Sequence, residues 1–295
     1  MRIKGLVYLL FTTYIMVSCG DNKSKSPSST GRGSEIIVVC SKQTWNGPVG
    51  DTIRGAFTQN MSGLPEAEPE FTLTNILPKD FSKFLQAHRN VFIVDIETKY
   101  KTSEVETLRN EWSHPQRVIK VKASSDTAFV NIFAKQSEAI KELFNQNERA
   151  WFSVQNALNQ NLVVEKLLEN DFGIKMVISK DFYQANKTKD FICLRSEDTT
   201  ISLGLMIYTY PFKDTAQMNP AAVLDSRDRY TKQYISGRQK GSYMATEREL
   251  YPPVASKILF KNMYAVETRG LWKTIGDSLG GPFVNYTIVD APRQR

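Results

Sequence analysis

The chain has 295 residues, 41% of them hydrophobic, with 38 Lys and Arg against 31 Asp and Glu, two histidines and three cysteines. Its formal charge of +7 is weighted to the N-terminus: residues 35–295 carry 33 basic and 30 acidic side chains, which gives no electrostatic case for nucleic acid. Two distant histidines, and cysteines without C-x-x-C spacing, argue against a metal centre, and no phosphate-loop pattern appears, so neither metal nor cofactor is expected.

Arg2 and Lys4 precede an apolar run over residues 5–17, long enough for a signal-peptide core but short of the ~20 residues of a spanning helix. The run closes on Met16-Val17-Ser18-Cys19, which resembles the lipobox of bacterial lipoproteins. That resemblance implies a signal peptide over residues 1–18 and acylation of Cys19. Several acyl chains anchor a protein stably where one does not. Residues 19–34 are polar and rich in Ser, Lys and Gly, the composition of a flexible tether. Asp21 stands without an acidic cluster around it, so the body is expected to face the periplasm, in a cell envelope, with the membrane as its first partner.

Residues 35–295 form the expected α+β globular domain: mixed β-sheets covered by helices, one compact body that could divide into two packed, similar units near residues 125–160. The first elements read as a strand at 35–40, a helix at 49–60, a strand at 71–77, a short helix opened by Pro78 and a buried strand at 90–96. A short strand at 118–121 follows. From residue 127 to 168 apolar residues recur at helical spacing, predicting one long helix or two in succession, stopped at Phe172-Gly173. Strands are predicted at 174–178, 191–194 and 200–210, then a helix capped by Asn219, with Pro220 in its first turn, running to 235. Strands at 256–260, 263–269 and 284–289 finish the chain. Cys40 and Cys193 lie in apolar, strand-like runs and read as two buried free thiols. Four matching residues near 39–42 and 177–180 do not establish a duplication.

Three constellations are candidates for function. Gly276-Asp277-Ser278-Leu279-Gly280-Gly281-Pro282 resembles both the GDSL esterase block and the serine loop of trypsin-like proteases. No histidine follows His114, however, and such a serine needs one as its base. The segment reads instead as a glycine turn before the last strand, so no catalytic residue is assigned. Glu66, Glu68 and Glu70 alternate between prolines, a spacing that could serve a calcium site or an acid–base pair, although a solvated loop is the commoner arrangement. Arg227, Arg229, Lys232, Arg238 and Lys240 interleave with tyrosines, suiting an amphipathic helix and an anionic polymer or headgroup surface.

The blocks around Trp45, residues 63–69, and Glu267-Thr268-Arg269-Gly270-Leu271-Trp272 followed by Gly280-Gly281 resemble a Bacteroidota-type lipoprotein family catalogued as a domain of unknown function. The resemblance implies an envelope location and carries over no reaction or ligand. The expected function is binding or assembly in the envelope, through a surface drawn from Trp45, Glu66, Glu68, Arg238, Lys240, Arg269 and Trp272, toward an envelope protein or anionic polymer. A carboxylate-dependent hydrolase of envelope polymers is the alternative.

Overall fold

The computed structural model describes residues 26–199 and 201–295. The expected signal peptide and the lipidation residue Cys19 lie outside the described residues. Among those described, no helix is long and apolar enough to cross a membrane.

Ile36-Ile37-Val38-Val39 is apolar at every position because strand β1 (Glu35–Val39) is covered on both faces, as parallel strands generally are. It is followed by α1 (Lys42–Trp45), capped by the Ser41 side chain, α2 (Pro48–Phe57) and β2 (Thr72–Ile76). A 3-10 turn, α3 (Lys83–Gln86), β3 (Asn90–Ile96), β4 (Glu104–Arg109) and β5 (Arg117–Ala123) complete a five-stranded sheet of order β2-β1-β3-β5-β4. Only β4 runs antiparallel to its neighbour. Helix α4 (Asp126–Ala157) lays Phe129, Phe133, Ile140 and Phe144 against one face of this sheet, next to α2. That spacing is the helical stripe legible in the sequence. On the opposite face Ile37, Val39, Val91 and Val118 meet Phe81, Leu85 and Trp112.

The second lobe starts at α5 (Leu162–Leu167), whose chain continues through a widened turn to Gly173 at φ +65°, a left-handed stop that suits glycine. Strands β6 (Tyr183–Lys187), β7 (Phe191–Glu197) and β8 (Ser202–Tyr208) form an antiparallel sheet. Helix α6 (Pro220–Tyr234) begins at Asn219, whose side chain accepts from the Ala221 N–H, as expected. Strands β9 (Tyr243–Thr246), β10 (Val254–Phe260), β11 (Met263–Ile275) and β12 (Gly280–Ile288) make the third sheet. In it β11 pairs with β12 along one edge and with β10 and then β9 along the other. The Tyr208 hydroxyl reaches Asn285 Oδ1 at 3.0 Å and ties the two antiparallel sheets together.

The α+β class holds, but the two lobes differ in topology: one is built on a mainly parallel sheet, the other on two antiparallel ones. Residues 174–178 form no strand. Ile178 is buried there, while Met176 and Val177 face solvent, so the apolar run is a packed loop. The last turn lies at residues 276–279, with Gly276 at φ +80°, and Gly280-Gly281-Pro282 belongs to β12. Proline is tolerated there because β12 is an edge strand. Within the segment expected to be tether, residues 27–34 are bound to the body. His114 N–H donates to the Pro27 carbonyl at 2.8 Å, Thr30 N–H to Ala87 at 2.9 Å and Ser34 N–H to Glu148 Oε2 at 3.1 Å. The polar composition of this strap serves backbone pairing that the sequence pattern does not announce. Cys40 and Cys193 are buried and free.

Candidate functional site

Loop residues 61–70 leave the first lobe between α2 and β2 and reach the second. Met61 N–H donates to the Glu68 carbonyl at 2.8 Å, closing the loop on itself. Glu70 is tied back to α4 by Asn145 at 2.6 Å and Lys141 at 3.6 Å, so this carboxylate is structural. Gly63, at φ +83°, sits so close to β11 that an added Cβ would stand 3.0 Å from the Arg269 carbonyl oxygen. Glycine is required there twice, by its backbone angle and by the close approach.

The contact leaves an open groove of about 400 Å³ between the lobes. Leu64, Pro65, Glu66 and Glu68 border it from the loop, Glu247, Leu250 and Tyr251 from the segment after β9, and Leu271, Trp272 and Pro282 from β11 and β12. Leu250 is 78% exposed and Tyr251 46%, apolar surface left to water on the rim. In the β11–β12 register Trp272 faces Gly281, and an added Cβ on that glycine would stand 3.0 Å from the indole nitrogen. The absent side chain is what lets the indole lie flat across the edge strand.

Glu247 fixes the rim. It accepts from the Glu249 N–H at 2.7 Å and the Leu250 N–H at 3.1 Å, and pairs with Lys273 at 3.0 Å. The Glu249 N–H first, then Lys273 and the Leu250 N–H, hold its carboxyl down at about 2. It is therefore a permanent anion that positions Leu250, with no proton to give. Glu66 and Glu68 are exposed, whereas acid–base carboxylates work from desolvated sites.

The remaining candidates lie elsewhere. Trp45 packs on the first-lobe core beneath the Arg54 guanidinium, 4.6 Å from its ring centre. Arg269 is spent on Glu267 at 2.6 Å. Arg238 and Lys240 project from the turn after α6, where the Arg238 N–H donates to Asp277 Oδ2 at 2.7 Å. Asp277 also accepts from the Ser278 N–H at 2.7 Å, so the serine motif is a turn clamp. Arg227 leaves the expected basic face altogether: it is buried, bonded to Thr246 at 2.8 Å and stacked on Phe283. Outside that set, Asp95 on β3 accepts from Tyr100 at 2.6 Å and pairs with Lys120 at 2.8 Å. Burial opposes its ionisation, but those two partners hold its carboxyl below the usual range. Among the described residues no group of three or more His, Cys, Asp or Glu side chains could hold a metal ion.

Glu247, Leu250 and Tyr251 were not legible as site residues, because only the fold brings them to Glu66 and Trp272. Residues 29–159 match a family model described as a domain of unknown function (DUF8532), and residues 161–295 match a second, also a domain of unknown function (DUF4837). The two matches meet at the end of α4, and the groove draws on both. No curated protein and no solved structure matches the chain.

Proposed function

We propose that this is a lipid-anchored envelope protein that acts by binding, and that the groove between its lobes takes an extended apolar segment, flanked by Lys or Arg, of another envelope protein. The observation that carries the reading is the apolar lining with Leu250 and Tyr251 exposed on its rim, since exposed apolar patches rimmed by polar groups mark interaction surfaces. Charge selects the occupant. Glu66 and Glu68 border the groove, and Lys273, the one lysine lining it among the described residues, is neutralised by Glu247. An anionic polymer would be repelled there and a basic-flanked peptide attracted. The anchor is supported by Met16-Val17-Ser18-Cys19 and the charged, apolar segment before it.

A photo-crosslinking residue placed at Leu250, with the same residue at Arg238 as control, tests the groove in native membranes. The expected result is a discrete adduct from position 250 only, reduced at least several-fold by the Glu66→Lys, Glu68→Lys pair. Equal labelling at both positions, or indifference to charge reversal, defeats the reading. Lipid-precursor labelling that persists in Cys19→Ala defeats the anchor.

A further inference from the structure

Among the described residues three arginines are deeply buried, and two of them are compensated. Arg89, 1% exposed, donates to Glu148 at 2.7 Å and lies over the Trp151 ring at 4.3 Å. Arg227 has Thr246, the Asp228 carboxylate at 3.6 Å and the Phe283 ring. Arg117 is 5% exposed, and among the described residues its Nε has no hydrogen-bond partner and no carboxylate pairs with it. A guanidinium does not escape burial by losing its proton. An unpaired buried charge is among the costliest arrangements a fold can hold.

The local register worsens the imbalance. Arg117 opens β5 directly opposite Arg109 of β4, so the two side chains leave the sheet on the same side, where like charges repel. Burial first, and the Arg109 charge second, push the Arg117 guanidinium below its usual pKa. Both arginines line a cavity of about 330 Å³ between the β4–β5 connection and α4, together with Asn110, His114, Gln146 and Asn147. No carboxylate among the described residues lines it. Asn147 commits its amide N–H groups to the Arg89 carbonyl and Asn90 Oδ1, which leaves its own oxygen available to a donor.

We propose that this cavity binds a small phosphate-bearing molecule, its phosphoryl group held by Arg117 and Arg109 and its polar remainder by Asn110, Gln146 and Asn147. A phosphate monoester carries between one and two negative charges near neutrality, which matches two guanidinium groups without a counter-carboxylate. Guanidinium groups grip such oxyanions through paired N–H donors. The volume exceeds that of the phosphoryl group alone and falls at the low end of small-molecule pockets. The same group can come from a soluble ester or from a phospholipid headgroup. The site lies within the first lobe, so its failure and that of the inter-lobe groove are separate.

The test is calorimetric titration of the full chain at constant ionic strength with glycerol 3-phosphate, inorganic phosphate and acetate, alongside flotation with vesicles containing phosphatidate. Glycerol 3-phosphate is expected to bind at least tenfold more tightly than acetate. Arg109→Gln, at an exposed position, should weaken it about tenfold without lowering the unliganded melting temperature, since it removes the like charge opposite Arg117, and Arg117→Lys should weaken binding comparably by removing the paired donors. Vesicle binding competed by glycerol 3-phosphate would assign the phosphate to a headgroup; binding of the soluble ester alone would assign it to a soluble ligand. Absence of binding in every phosphate arm, equal affinity for acetate, or unchanged affinity in both variants overturns the proposal.

Discussion

The first lobe closes its core with phenylalanines that lose all contact with water, Phe57, Phe71, Phe92, Phe129, Phe133 and Phe144. The second relies on a stack of Phe191, Tyr208, Tyr230 and Tyr234, in which the Tyr208 hydroxyl donates to Asn285 at 3.0 Å and the Tyr230 hydroxyl to the Thr209 carbonyl at 2.9 Å. The contrast follows from sheet type. A parallel sheet must be covered on both faces, whereas antiparallel sheets can leave one face wet. The second lobe accordingly leaves Val254, Val284 and Tyr286 exposed on its last sheet. The second lobe buries a smaller apolar core around Leu168, Phe172, Ile192 and Leu194 and keeps more apolar surface in water, which is where a binding groove can be built without excavating a core.

The strongest way to break this comparison is at Phe57, which meets Phe71, Phe92, Phe133 and Phe144 edge-on at 5.5–6.5 Å. Phe57→Ala should cost ~3–5 kcal/mol through lost burial and the cavity left behind, measured by urea unfolding. If the lobes are independent, tyrosine fluorescence from the second lobe keeps its own midpoint. A single shifted transition would show one cooperative unit. Glu148→Ala comes next: it strands Arg89 and removes the acceptor of Asn90 and Ser34 N–H, at ~3 kcal/mol for breaking a buried ion pair. The expected signature includes release of the strap at residues 27–34, read as faster amide exchange at Thr30.

In the second lobe Asn219→Ala removes the cap of α6 and should cost ~1 kcal/mol, with Asn219→Asp restoring most of it. The smallest effect is local and pH-dependent. The Glu247 carboxyl, held at about 2 in the folded chain, lies below its ordinary value near 4.3 when unfolded. Its contribution is therefore present above roughly pH 4.3 and lost as pH falls toward about 2. Amide exchange at Glu249 and Leu250, corrected for intrinsic rates, should accelerate through that window, and Glu247→Gln should abolish the dependence. Exchange that tracks the whole protein instead would make the rim part of the core.

Legibility followed burial. Every strand buried on two faces was visible as an apolar run, and α4 showed its stripe. Three strands escaped. In β4 Glu104 and Glu106 alternate with Val105 only to meet Lys122 across the edge. In β6 the sequence Tyr183-Gln184-Ala185-Asn186-Lys187 is mostly solvent-facing, and β9 has four residues. Edge strands take their stability from partners and so carry little pattern of their own. Residues 174–178 erred the other way, because an apolar run can serve a packed loop. For the groove, the glutamate spacing at 66 and 68 and the aromatic at 272 were readable, but nothing near Glu247 or Tyr251 marks them. Arg117 falls one residue before the strand predicted at 118–121, and nothing in the sequence marks it; only the absence of a partner among the described residues, a three-dimensional fact, sets it apart.

The bound strap at residues 27–34 also sets a leash length. With the chain held to the body from Pro27 onward, an acylated Cys19 would leave only eight residues between bilayer and body. Fully extended, these span at most roughly 28 Å. A tether running to residue 34 would have reached roughly twice as far. The body would then patrol a shell close to its own membrane, within reach of partners embedded in or lying on that bilayer and out of reach of those across a wide compartment. Lengthening the segment before Pro27 with Gly-Ser repeats, without touching the folded body, would vary that radius alone.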